Sequence, residues 1–210
     1  MTDPPDRPSL RAEQVQQTRA ALIASGRRLF GERGFAATSV DEIARDARVT
    51  TGALYHHFPN KTALFEAVFE QIHAELMAAS ARAAEGAGPG TSELEFFALG
   101  FEAFLDAVLE PDVQQILITD APAVLGLARF TELDERYAAT AIADALRTAT
   151  SAGTMSVEEP ETVARLLLGA LVRGGMLIAS SPRPAQTRDA VARSIRAMLA
   201  GAAHPAGPAS

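Results

Sequence analysis

Residues 38–61, Thr-Ser-Val-Asp-Glu-Ile-Ala-Arg-Asp-Ala-Arg-Val-Thr-Thr-Gly-Ala-Leu-Tyr-His-His-Phe-Pro-Asn-Lys, admit few structures other than two short helices joined by a tight turn. Val40, Ile43, Ala44 and Ala47 fall at i, i+3, i+4 and i+7, a single helical stripe. Ser39 followed by Glu42 is a capping box, which marks the helix start independently of that stripe. After the turn, Thr50 is placed to cap a second helix whose buried side is Leu54 and Phe58. Pro59 stops that helix, and Asn60 is placed to cap the next. Two helices this short and this closely joined form a helix-turn-helix, whose second helix enters the DNA major groove. With Leu54 and Phe58 turned inward, Thr50, Thr51, Gly52, Tyr55 and His56 face outward.

The segment resembles the DNA-binding region of tetracycline-repressor (TetR) family regulators. Ile43, Ala44 and Ala47 match that family's first motif helix, and Gly52, Leu54, Tyr55, His57, Phe58 and Lys61 match its second helix and exit. Upstream, Gly26, Arg27, Arg28, Leu29 and Phe30, then Gly34 to Ser39, match its first helix. One position departs: Arg48 stands where the family usually has Gly, and a positive φ there would cost Arg about 1 kcal/mol relative to Gly. The resemblance implies DNA contacts from Thr38, Ser39, Thr50, Thr51, Gly52, Tyr55, His56 and Lys61. Gly52 lets the backbone approach base edges, and Thr51 offers a methyl and a hydroxyl. Tyr55 and His56 can reach phosphate oxygens, and Lys61 sits at a helix N-terminus that attracts phosphate, as do Thr38 and Ser39 one helix earlier. Ser39 can cap and contact DNA at once; Tyr55 has the alternative of a core edge, and His57 is expected to pack internally. Neighbouring His56 and His57 do not form a metal site, because adjacent helical residues diverge by about 100°.

Composition narrows the setting. The chain has 210 residues, 48% of them hydrophobic, enough for a sizeable core. Cysteine is absent, which excludes disulfides and thiolate metal sites. No uninterrupted run of about 18 apolar residues occurs, and the first residues, Met-Thr-Asp-Pro-Pro-Asp-Arg-Pro, contain no signal-peptide apolar core. The expectation is a cytoplasmic protein with no membrane partner, no metal and no cofactor. Net charge is −7, but residues 1–65 carry 9 Lys or Arg against 7 Asp or Glu while residues 66–210 carry 10 against 19. A locally basic head on an acidic body is the asymmetry expected where only the head meets phosphates.

The chain divides into a disordered arm over 1–12, a helix-turn-helix head over 13–60, a linking helix over 61–85, a helical body over 86–200 and a loose tail over 201–210. Gly86 to Gly90 is the break after the linking helix. Beyond it, helices are expected over 92–109, from Pro111, over 123–151 with a bend at Gly126, over 158–179 and over 186–200. No strand pattern occurs. The fold class is all-α: an N-terminal three-helix helix-turn-helix DNA-binding domain plus a C-terminal helical ligand-binding and dimerisation domain.

A head this small binds as a dimer, and the last two helices are the candidates to supply it. Leu167, Gly169, Ala170, Gly174 and Leu177 permit close helix approach, and Val191, Ile195, Met198 and Leu199 form a matching stripe. Such stripes build intramolecular cores as often; the resemblance, in which these helices make an intersubunit bundle, favours the homodimer. Residues 116–126 also resemble one subgroup of the family's C-terminal domains, which usually has Trp where this chain has Leu127. That implies a small-molecule pocket, with Phe97, Phe101, Phe104, Leu117, Leu125, Phe130 and Met176 as candidate walls and Thr119, Asp120 and Arg173 as its polar groups. Asp120, in an apolar run, needs a partner, for which Arg173 is the candidate. The reading is a homodimeric repressor released from a palindromic double-stranded DNA operator by a small apolar or aromatic effector. The alternatives are a DNA-binding regulator or scaffold without an effector, or an enzyme or carrier with a vestigial head. Against the last, there is no nucleophile–base motif, metal spacing or Gly-rich phosphate loop, and Lys61 and Tyr55 are intact.

Overall fold

The structure, a computed structural model, describes residues 10–86, 88 and 90–202. Its regular structure is helical. The first helix, α1 (Leu10–Ala37), begins inside the expected arm, so Leu10 to Ala12 are helical and only residues 1–9 of that arm lie outside the described residues. At Gly34 the chain swings to φ +79°, ψ 163°, a conformation that glycine adopts without strain, and this turns α1 toward the motif. The motif helices are α2 (Val40–Asp46) and α3 (Thr51–His57). Both halves of the capping box form: Ser39 Oγ accepts from Glu42 N and Glu42 Oε2 accepts from Ser39 N. Thr50 Oγ1 accepts from Ala53 N, and Asn60 Oδ1 accepts from Ala63 N at the start of α4 (Lys61–Glu85). In the turn between α2 and α3, Arg48 adopts φ +58°.

The body follows as α5 (Glu93–Ala107), the single turn α6 (Pro111–Val113), a π-helical segment π1 (Gln114–Asp120), and α7 (Ala121–Asp134). A second wide segment, π2 (Glu135–Ala139), leads into α8 (Thr140–Ser151), and α9 (Pro160–Ala179) and α10 (Pro184–Ala202) complete the chain. The helix expected over 123–151 does bend at Gly126, where φ is +75°, and it also widens over π2. The expected tail starts later than residue 201, since Gly201 and Ala202 belong to α10, and residues 203–210 lie outside the described residues.

One continuous apolar core joins head and body. Leu22, Phe30, Ile43, Leu54 and Phe65 close the head, with Phe65 meeting Phe30 and Phe35 edge-on at 5.3 Å each. The core then runs along α4 through Phe69 and Ile72 to Phe101, Leu105, Ile116, Leu133 and Leu146.

Within one chain the C-terminal helices divide the expected dimer set. Leu167, Gly174, Val191, Ile195 and Leu199 are buried within the chain. A Cβ on Gly174 would stand 2.5 Å from Val191 Cγ1, so the close approach that this glycine permits is between α9 and α10 of one chain. Exposed instead are Gly169, Leu177 and Met198, with Ala170 half-buried and Leu166 68% exposed. α9 therefore carries two apolar faces, of which its own chain covers one. By length and composition α9 alone among the described residues reaches a membrane-spanning helix, yet it carries Arg165 and Arg173 and packs against α10, α8 and α5.

Candidate nucleic-acid interface and effector cavity

The exposed face of α3 is polar and aromatic. Thr50, Gly52, Tyr55 and His56 are exposed, Tyr55 by 51%, which sets aside the core-edge alternative for that ring. Thr51 is half-buried, and its hydroxyl donates to Asp41 Oδ1 at 2.8 Å, which fixes its rotamer at the head of α3. His57 is half-buried, and burial, followed by the nearby charges of His56 and Arg19, holds its pKa below the usual imidazole value. Flanking the face, Arg45 and Arg48 are exposed, and their guanidinium groups carry no ion pair among the described residues. Sequence reasoning had not placed them in the interface, although two basic residues beside the turn were the available signal.

Two of the expected contact residues serve the head's own architecture. Thr38 is 2% exposed, and its hydroxyl is held by the carbonyls of Gly34 and Leu29 at 2.8 and 3.2 Å. Lys61 Nζ donates to the carbonyls of Phe35 and Thr38 at 2.8 and 2.9 Å and stands 4.1 Å from the centroid of the Phe35 ring. These carbonyls lie at the end of α1, where Phe35 O also accepts from Thr38 N at 3.3 Å, and a cation on α4 supplies a further donor to both. Ser39 keeps its cap and remains exposed.

The break in α1 at Gly34 gives Asp120 its partner, which is not Arg173. Phe35 N donates to Asp120 Oδ2 at 2.7 Å, so the end of π1 is tied to the bend of α1. Nearby, Arg27 on α1 binds Asp112 at 2.8 Å and Glu75 of α4 at 2.5 Å. Arg173 is exposed on α9 and makes no bond to Asp120. Asp120 is thus a link between head and body rather than a pocket residue.

The body contains a cavity of about 500 Å³ between α4, α5, π2, α8 and α9. Of the expected walls, Phe97, Phe101 and Phe104 line it. Phe130, Arg173 and Met176 line a smaller neighbouring hollow of about 240 Å³, which shares Asp134 and Leu168 with the first. Leu117 is core, Leu125 packs half-buried against it, and Thr119 is exposed with its hydroxyl on Gln114 O. The apolar run that contains these residues faces the head and the core, because π1 packs on α1.

Two buried polar residues in the cavity were missed: His73, 4% exposed, and Asp134, 8% exposed, with Nε2 and Oδ1 3.5 Å apart. The sequence signal for His73 was its place on the otherwise apolar stripe of Phe65, Phe69, Ile72 and Leu76. Burial pulls the His73 imidazole down to about 4 and pushes the Asp134 carboxyl up to about 7, with Glu135 adding to the second shift. Both groups are therefore biased toward their neutral forms. Tyr137, on the same wall, donates its hydroxyl to Glu70 Oε1 at 3.2 Å.

Known proteins share both halves of this arrangement. Residues 22–68 match "Bacterial regulatory proteins, tetR family", and residues 94–202 match "Tetracyclin repressor-like, C-terminal domain". The Tn10 TetC protein of Escherichia coli is 33% identical over 125 residues, 60% of this chain and 61% of its own length. The regulator TtgR of Pseudomonas putida is 44% identical over 61 residues, 29% of either chain, so these curated relatives are matched over less than two thirds of their length. A TetR-family transcriptional regulator from Pectobacterium atrosepticum superposes with a TM-score of 0.79 at 31% identity, over 92% of this chain and 98% of that one. RolR, solved with its ligand resorcinol, shares the fold at a TM-score of 0.68 and 21% identity, over 90% and 96%. TtgR and the Pectobacterium protein are transcriptional regulators rather than enzymes. With the motif, the helical body and both family matches in agreement, the chain belongs to the TetR family of DNA-binding transcriptional regulators.

Proposed function

We propose that this chain is a homodimeric repressor whose grip on a palindromic operator is released when a small molecule fills the body cavity. The observation that carries this reading is the double duty of α4. Its first turns hold the head through Lys61, Leu64 and Phe65, and three turns later His73, Leu76, Met77 and Ser80 form one wall of the cavity. A ligand that displaces that wall moves a rigid lever whose other end carries α3. Two heads must sit about one duplex turn apart to bind two half-sites, so a small tilt of each lowers affinity for the pair. The exposed apolar face of α9, with Leu166 and Leu177, and Met198 of α10 supply the surface for the second copy. On α3, Thr50, Thr51 and Gly52 meet base edges while Tyr55, His56, Arg45 and Arg48 meet phosphates.

The test is selection of bound duplexes from random DNA at two salt concentrations, followed by an effector screen on the recovered site. A palindromic site with a steep salt slope is expected. Enrichment of no sequence would overturn the operator reading, and an operator affinity that no cavity ligand alters would overturn release by an effector.

A further inference from the structure

Among the described residues the cavity wall contains no lysine or arginine; its titratable groups are His73, Asp134 and Tyr137. Asp134 therefore faces, on the side of the larger cavity, an apolar hollow whose described lining supplies no Lys or Arg. His73 Nε2 stands 3.5 Å from Asp134 Oδ1, and burial pulls the imidazole down to about 4, away from its charged form. From α9, Arg165 and Arg173 border the smaller hollow that Asp134 also lines, but Arg165 pairs with Glu135 at 3.3 Å and neither forms an ion pair with Asp134 among the described residues. Glu70 holds the Tyr137 hydroxyl, and Glu66 is bound to Arg129. Among the described residues no Lys or Arg pairs with Asp134, and burial favours its protonated form. The remaining wall is aromatic, with Phe97, Phe101, Phe104 and Tyr137 offering the electron-rich ring faces that attract a cation.

We propose that the cavity takes a lipophilic amine: one protonated nitrogen set against the Asp134 carboxylate, on an apolar body held among the Phe97, Phe101 and Phe104 rings. Such a ligand supplies the counter-charge that Asp134 lacks, and the proton on the carboxyl leaves to solvent as the cation arrives. A carboxylate or phosphate ligand finds no cation in this wall and is rejected by the same residue. The inference rests on the reading of the cavity as the effector site.

Three probes with one apolar body separate the two ideas: 4-phenylbutylamine, 4-phenylbutan-1-ol and 4-phenylbutyrate. Each is titrated by calorimetry into the full chain at about pH 8, where Asp134 is ionised and the amine remains protonated. The amine is expected to bind about ten-fold or more tighter than the alcohol, and the butyrate least. In Asp134→Asn, the amine loses that advantage while the alcohol keeps its affinity. Equal binding of amine and alcohol, or preference for the butyrate, overturns the amine inference and leaves the cavity as a ligand site. Binding of none of the three overturns both. Should the variant fail to fold, the wild-type ranking alone decides.

Discussion

Arg48 sits at φ +58°, where a Cβ crowds the following carbonyl, and nothing among the described residues holds its side chain in compensation. Arg48→Gly is expected to raise stability by about 0.5–1 kcal/mol in urea melts, the relief of backbone strain less the added freedom of the unfolded chain. A destabilised variant would show that the side chain contributes more than its strain costs. A second residue-scale prediction concerns pH. His73, depressed to about 4, makes the fold lose stability as pH falls from the unfolded imidazole value, because only the unfolded chain takes up the proton. Asp134, raised to about 7, makes the fold lose stability as pH rises from the unfolded carboxyl value. The two slopes oppose each other between about pH 4 and 6.5 and leave the wild type nearly flat there. Asp134→Asn unmasks the histidine, so unfolding free energies should climb with pH across that window by up to about 1.4 kcal/mol per unit. A flat profile in the variant would mean that His73 is not held neutral. His73 was marked in the sequence only by its apolar stripe and Asp134 not at all, since burial and mutual distance belong to the packed chain.

Among the elements, the break in α1 organises the link between head and body. Gly34 frees the Phe35 N–H, Asp120 at the end of π1 accepts it, and Lys61 at the start of α4 collects the carbonyls beside it. Asp120→Ala removes a charge-assisted bond to a half-buried amide, and a loss of about 1–3 kcal/mol in thermal melts is expected, with Asp120→Asn largely retaining it. An unchanged alanine variant would mean that the link carries no energy. The sequence displayed Gly34, Asp120 and Lys61 one by one, and the helix caps at Ser39, Thr50 and Asn60 were legible because a cap is satisfied within four residues. The partners of Asp120 and Lys61 were not, since they lie 85 and 26 or 23 residues away and only packing brings them together.

For the whole molecule, the proposed homodimer turns on the outer face of α9. Leu166 is 68% exposed, so Leu166→Glu leaves the chain's own core intact while placing a charge in any paired face. Sedimentation should show the variant shifted to monomer, with operator affinity reduced at least about ten-fold through lost pairing of half-sites. A dimer of wild-type strength in the variant would move the interface elsewhere. Local rules determined much of this protein from its sequence: the all-α class, the helix-turn-helix, its caps and its outward residues follow from periodicity and short-range bonds. The tertiary structure decided which of the two apolar faces of α9 is core, that Thr38 and Lys61 brace the head, and that the cavity's polar pair is His73 with Asp134 rather than Asp120 with Arg173. A helix's pattern states which faces are apolar, whereas the element that covers each face depends on contacts between distant residues, which no local pattern encodes.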